Sequence, residues 1–170
     1  MFQSDQVITV SILLNGNIDE FFCSFVYASN GVEERKQLWD DLQHHHNSSM
    51  FQNKLWMVCG DFNETLQGQE HSNYIDDQHT TMEMMDFQNV VRDCSLVDLK
   101  YHGPPYTWCN KRYMGLICKI LDIFLVERYP NSYCVFESGG CFDHLRRRTT
   151  VEVEEVRKFR PFKFANVLTQ

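Results

Sequence analysis

Several features are missing from this sequence, and each absence narrows the reading. No apolar run approaches the ~18 residues needed to cross a bilayer. The start, Met1–Val10, carries Asp5 and has no basic stretch leading into an apolar core, so it does not read as a secretory leader. Seven cysteines are present (Cys23, Cys59, Cys94, Cys109, Cys118, Cys134 and Cys141), yet no C-x-x-C pair occurs. The paired ligand spacing of a zinc site is therefore lacking. An odd cysteine count without a leader reads as reduced, mostly buried thiols in an intracellular protein, with no disulfide-linked partner. Repeats and low-complexity segments are also absent.

Positive charge is scarce over most of the chain. Residues 1–145 hold 9 Lys/Arg against 20 Asp/Glu, a balance of −11, while residues 146–170 hold 7 against 3, a balance of +4. An acidic body of this kind argues against nonspecific nucleic-acid binding through bulk charge. Apolar material is ample: 43% of the 170 residues are hydrophobic and 14% aromatic, which excludes a disordered chain and suits one packed domain.

The pattern along the chain mixes strands and helices. Val7–Leu14 alternates, Asn15-Gly16-Asn17 supplies turn residues, and Phe21–Tyr27 is again apolar, which predicts a hairpin. Ser29 or Asn30 is placed to cap a helix running to about His46, with Leu38, Trp39 and Leu42 inward. The run Leu55–Cys59 predicts a central buried strand ending at Gly60. Residues 64–80 read as a polar surface loop. Thr80-Thr81-Met82-Glu83 fits a capping box, followed by a stripe of Met82, Met85, Val90, Val91 and Cys94. Short strands are expected at Leu96–Leu99 and Tyr133–Glu137, and a hairpin joins Tyr106–Cys109 to Ile117–Val126 around Lys111–Gly115. The tail from Arg146 onward is basic and weakly patterned. Interleaved strands and helices predict a layered α/β (α+β) fold. One domain is expected over residues 1–150, with 151–170 as a carboxyl-terminal extension.

Trp56-Met57-Val58-Cys59-Gly60-Asp61-Phe62-Asn63 carries the main chemical signal. In an extended segment, Asp61 and Asn63 would project together from a strand end. The same pair also serves an ordinary turn. Asp122 lies inside the apolar run Ile120–Val126, and a buried carboxylate needs a partner. Asp143-His144 follows Gly139-Gly140 after a strand. A buried Asp and a later His can act as an orienting pair for acid–base work.

The order Tyr27, Gly60-Asp61-Phe62-Asn63, Thr107-Trp108, Leu121-Asp122, Asp143-His144 resembles the endonuclease/exonuclease/phosphatase superfamily, with its deoxyribonuclease-I-like fold. The stretches WMVCGDFNETL, DFQNVVRDCSLVDLKYHGPPYTWCNKR and RPFKFANVLTQ resemble the endonuclease domain of plant LINE-type (non-LTR) retrotransposons. The resemblance covers about residue 7 to 170. It implies two packed, mostly antiparallel or mixed sheets flanked by helices, and hydrolysis of DNA phosphodiester bonds with Mg²⁺ or Mn²⁺. By the same resemblance, Asp61 orients or deprotonates the attacking water and Asn63 bonds the phosphate or the nucleophile. His144 stabilises charge on the phosphate, Asp122 fixes the tautomer of His144, Asp143 is a metal-side carboxylate, and Tyr27 positions the phosphate. These roles suit a transition state that gathers negative charge.

Trp108 matches a family aromatic, and core packing explains it more simply. The run His44-His45-His46 reads as a solvated helix end that favours the dipole. Arg146, Arg147 and Arg148 suit either DNA-backbone contact or a solvated basic turn. A nuclear location follows from the resemblance alone.

The chain also departs from the family. The family's first strands, with the Glu that is its main metal ligand, lie upstream of the hairpin with which this pattern begins. The expectation is an amino-terminally incomplete domain with impaired catalysis. Phe142 stands where Ser is usual, and Ile120 and Ile123 flank Leu121-Asp122 where basic residues are common. Two further readings stand beside the endonuclease: a non-catalytic remnant or binding module of the same fold, and a phosphatase-type member of the superfamily.

Overall fold

The computed structural model describes residues 1–13, 20–52, 54–73, 80–99, 101–126, 133–137 and 146–150, the backbone alone from Asp122 onward. The turn expected at Asn15–Asn17, the pair Asp143-His144 and the extension 151–170 lie outside the described residues.

A six-stranded sheet organises the molecule. In chain order its strands are β1 (Phe2–Gln3), β2 (Val7–Leu13), β3 (Glu20–Tyr27), β4 (Trp56–Asp61), β5 (Val97–Asp98) and β9 (Asp122–Val126), arranged in space as β1-β2-β3-β4-β9-β5. Strands β2 and β3 pair antiparallel from Val7 opposite Val26 to Leu13 opposite Glu20, which is the expected hairpin. Strand β4 then lies parallel to β3, and that geometry requires a crossover. Helix α1 (Val32–Asn47) provides it. A three-stranded sheet joins β6 (Tyr101–His102), β10 (Tyr133–Glu137) and β11 (Arg146–Thr150), and a two-stranded one joins β7 (Trp108–Cys109) to β8 (Cys118–Lys119). The mixed sheets with flanking helices are those expected. The basic tail differs from expectation, since Arg146, Arg147 and Arg148 form strand β11, opposite Glu137, Phe136 and Val135.

Alternation along the strands sends two apolar sets to opposite faces. Val7, Phe22, Val26, Trp56 and Val58 share a core with Leu38, Trp39 and Leu42 of α1 and with Phe87, Val90 and Val91 of α2 (Met82–Asp93). Trp39 and Phe87 stack with ring centres 4.9 Å apart. Cys23, Met57, Cys59 and Leu99 form a smaller cluster from the alternate positions.

The helix starts differ from the sequence reading. Gly31, not Ser29 or Asn30, is the N-cap of α1. The Ser29 hydroxyl instead accepts from the Gly31 N–H at 3.0 Å, closing a local turn. Helix α2 begins one residue later than a Thr80 capping box implies: Thr81 is the cap and accepts from Met84 N–H at 3.2 Å. Met84 and Phe87 share the buried face with Val90, Val91 and Cys94, and Met82 and Met85 are exposed.

Three other expectations are corrected. The 64–80 segment is not simply a surface loop, because Thr65, Leu66 and Glu70 are buried around a 3₁₀ turn at Gly68–Glu70. His45 is not solvated but 3% exposed; its ring bonds the Asp41 carbonyl and Thr9 Oγ1, and burial lowers its pKa. Cys109 and Cys118 are disulfide-bonded, not reduced, because the β7–β8 register sets them opposite each other. Cys23, Cys59 and Cys94 are buried, reduced thiols, as expected.

Candidate active site

Three strand ends meet at one edge of the large sheet. The parallel strands β3 and β4 finish at Tyr27 and Asp61, which are opposite each other in register. Strand β9 runs the other way, so its first residue, Asp122, pairs with Asp61 across the opposite flank. Backbone bonds stitch the ends together: Ala28 N–H donates to Asp61 O at 2.8 Å, and Phe62 N–H to Leu121 O at 3.0 Å. Tyr27, Asp61, Asn63 and Asp122, selected from sequence, are thus brought together by topology.

Asp61 is buried, with 7% of its surface exposed. Its Oδ1 accepts from the Asn63 N–H at 2.9 Å. Asn63 has a φ of 49°, in the left-handed region that Asn tolerates better than most residues. The two residues are therefore joined through a tight turn, side chain to backbone, and not through the extended i, i+2 alternation. Asn63 Nδ2 also donates to Ala28 O at 2.6 Å, tying the turn to the end of β3. Tyr27 is 72% exposed, so its ring stands in solvent beside this edge.

Gly60 makes the close approach of β4 to β3 possible. A Cβ built there would lie 1.9 Å from the Val26 carbonyl oxygen, and its φ is +153°. The site turn is also held from below. Arg35, 5% exposed, donates Nη1 to the carbonyls of Ser29 and Asn30 and Nη2 to Glu64 Oε2 at 3.0 Å. Glu64 directly follows Asn63, so this ion pair fastens the turn to the β3–α1 connection. Sequence reasoning passed over Arg35, although a cation between acidic Glu33-Glu34 and an apolar helix face was a visible signal.

Further along the same loop, Glu70 is buried, and its Oε2 accepts from the Leu66 and Gln67 amides. Desolvation pushes its carboxyl up to about 7, with a smaller contribution from the charge of Asp98. The Glu70 carbonyl accepts from Ile120 N–H at 3.0 Å, which fixes the loop beside the approach to Asp122. Trp108 is half-buried, in keeping with packing. Nearby, the β7–β8 hairpin exposes Tyr113, Met114 and Leu116 together with Lys111 and Arg112.

Mg²⁺ or Mn²⁺ is implied by the resemblance. Among the described residues, no three His, Cys, Asp or Glu side chains are grouped to hold a metal ion. Among the described residues Asp61 therefore belongs to no such group; the side chain of Asp122 and Asp143, the carboxylate assigned to the metal, lie outside them.

Comparison with solved structures gives the frame for this edge. The chain superposes on a 3′ phosphatase from Neisseria, NExo, bound to a product DNA hairpin, with a TM-score of 0.62 and 17% identity over 87% of this chain. It superposes on the endonuclease domain of TRAS1, a telomere-specific non-LTR retrotransposon, with a TM-score of 0.58 and 11% identity over 88% of the chain. The chain has the deoxyribonuclease-I-like fold. Beta toxin from Staphylococcus aureus shares this deoxyribonuclease-I-like architecture, with a TM-score of 0.59 and 12% identity over 86% of the chain. The chain spans 57% to 65% of the length of these three structures. No family model and no curated protein matches the sequence. Among the described residues, no helix is long and apolar enough to cross a membrane.

Proposed function

We propose that this deoxyribonuclease-I-like domain acts on DNA phosphodiester bonds, as a domain of the retrotransposon-endonuclease kind. The observation that carries the reading is the meeting of Tyr27, Asp61, Asn63 and Asp122 at one sheet edge of this fold. Asp61 would orient the attacking water and accept its proton. Asn63, fixed by its bonds to Asp61 and Ala28, would present an amide N–H to a phosphate oxygen. His144 would donate to the phosphate as charge develops, with Asp122 setting its tautomer. Tyr27, exposed at the rim, would position the DNA backbone, and Arg146 and Arg147 on β11 would add contacts to it. A divalent cation, Mg²⁺ or Mn²⁺, would supply further charge stabilisation when bound, with Asp143 as a ligand.

The test is nicking of supercoiled plasmid by the purified chain with Mg²⁺ or Mn²⁺, beside Asp61→Asn and His144→Ala. Asn at position 61 keeps an acceptor for the Asn63 N–H while removing the base, so the turn and the fold should survive. Cleavage should fall at least about 10²-fold in either variant, as expected for loss of a general base or acid. Equal cleavage by the wild type and both variants, or none from a folded wild type, would leave a non-catalytic module of the same fold.

A further inference from the structure

The hairpin that leads into β9 has a short ladder, a tip gathered on Asn110, whose Nδ2 donates to Gly115 O at 3.0 Å, and a covalent link at its base. Its two paired positions are Trp108–Lys119 and Cys109–Cys118. Next to them, Asn110 N–H donates to Ile117 O at 3.0 Å, while Asn110 Oδ1 accepts from the Ile117 and Arg112 amides at 3.2 Å each. Antiparallel ladders alternate bonded and non-bonded pairs, so Cys109–Cys118 falls at a non-bonded position, where opposite side chains come closest. Its Cα atoms are 4.2 Å apart.

Strand β8 has anchors that do not depend on sulfur. Cys118 N–H donates to Ser72 Oγ at 2.9 Å, Ser72 N–H to Cys118 O at 2.8 Å, and Thr107 N–H to Lys119 O at 3.0 Å. With the bond open, these anchors would hold the two thiols opposed, so reclosure needs no refolding. Cys109 is partly exposed and Cys118 is 8% exposed, so a reductant reaches the Cys109 sulfur first. Beyond the link the tip is open to solvent, with Tyr113, Met114 and Leu116 exposed beside Lys111 and Arg112.

We propose that the Cys109–Cys118 bond is a redox-operated staple that fixes the Lys111–Leu116 tip when closed and loosens it when open. The inference is independent of the nuclease reading. Opening needs a dithiol reductant. One of its thiolates attacks Sγ of Cys109, the S–S bond breaks, and Cys118 leaves as a thiolate that takes up a proton. The reductant's second thiol then closes on its first and releases Cys109 as a thiol. Two electrons and two protons pass to the protein, and the reductant becomes a cyclic disulfide. A glutathione disulfide reverses the change.

Trypsin reads the tip directly, because Lys111 and Arg112 are its cleavage points. The chain should be purified without reductant, checked for the 109–118 link by non-reducing peptide mapping, and digested briefly under native conditions. Dithiothreitol should speed cleavage at Lys111 and Arg112 at least about tenfold, in proportion to the open population. Cleavage at Arg92 should stay unchanged. Oxidised glutathione should restore the slow rate, and Cys109→Ser should cleave fast in both conditions. Absence of the link after oxidation, equal rates at the tip, or faster cleavage everywhere on reduction would overturn the proposal.

Discussion

Thr9→Val removes one hydroxyl from a buried chain of four side chains, and its cost can be worked out link by link. The Asp41 carbonyl can accept but not donate, so His45 carries its proton on Nδ1. Burial keeps His45 neutral, which leaves Nε2 as an acceptor for the Thr9 hydroxyl at 3.0 Å. Thr9 Oγ1 must then accept from Ser24 at 2.7 Å, and Ser24 Oγ accepts from Trp56 Nε1–H at 2.9 Å. Valine keeps the shape but strands the Ser24 O–H and His45 Nε2, whose residues are 0% and 3% exposed. Each orphaned buried group costs about 1–3 kcal/mol. The added methyl returns roughly 0.8 kcal/mol. Thr9 and His45 also border a cavity of about 230 Å³, and water entering it would lower the cost. The expected loss is about 2–4 kcal/mol, a large share of the roughly 5–15 kcal/mol typical of a domain. With an m-value near 2 kcal/mol/M, the urea midpoint should fall by about 1–2 M with the slope unchanged. Thr9→Ser keeps the hydroxyl and should stay within about 1 kcal/mol of the wild type. A Thr9→Val midpoint within about 0.25 M of the wild type would refute the directed chain of bonds.

Two other perturbations test the loop and the strand beside the site. Burial raises the Glu70 carboxyl from 4.5 to about 7, so the folded chain holds a proton that the unfolded chain has released. That contribution is complete below about pH 4.5 and is lost as pH rises through about 7. Glu70→Gln mimics the protonated form and should be about 3 kcal/mol more stable than the wild type at pH 8, yet nearly equal at pH 4.5; parallel urea midpoints for the two proteins across that range would contradict this. Gly60→Ala places a Cβ 1.9 Å from the Val26 carbonyl oxygen. Relieving that clash and the strained φ should cost about 3 kcal/mol, or roughly 6–12 °C in Tm by scanning calorimetry. A drop of less than about 2 °C would show that β4 does not need glycine there.

Much of the fold was legible because local patterns and tertiary packing agreed. The β2–β3 alternation, the apolar run of β4 and the Leu38, Trp39 and Leu42 stripe of α1 each bury the face their period predicts. Agreement failed where a backbone group had two possible partners. Ser29 bonds Gly31 and leaves the cap of α1 to a glycine, and Thr81 takes the cap of α2 in place of Thr80. The three histidines show the same limit. Helix position alone put them in water, but Phe2, Phe51 and Trp56 surround the His45 ring, and these come from three other parts of the chain.

The sequence by itself determined the local elements, which depend on neighbours a few positions apart, and offered the residue types of the candidate site and the resemblance to a fold family. Tertiary structure decided the rest. It set Asp122 against Asp61, 61 positions away, by strand register. It held Asn63 in a left-handed turn against Ala28, gave Arg35 its partner Glu64, and closed Cys109 on Cys118. The common reason is burial: a carboxylate, guanidinium or thiol acquires its partner only when distant strands exclude water around it, and no local pattern records which strands will meet.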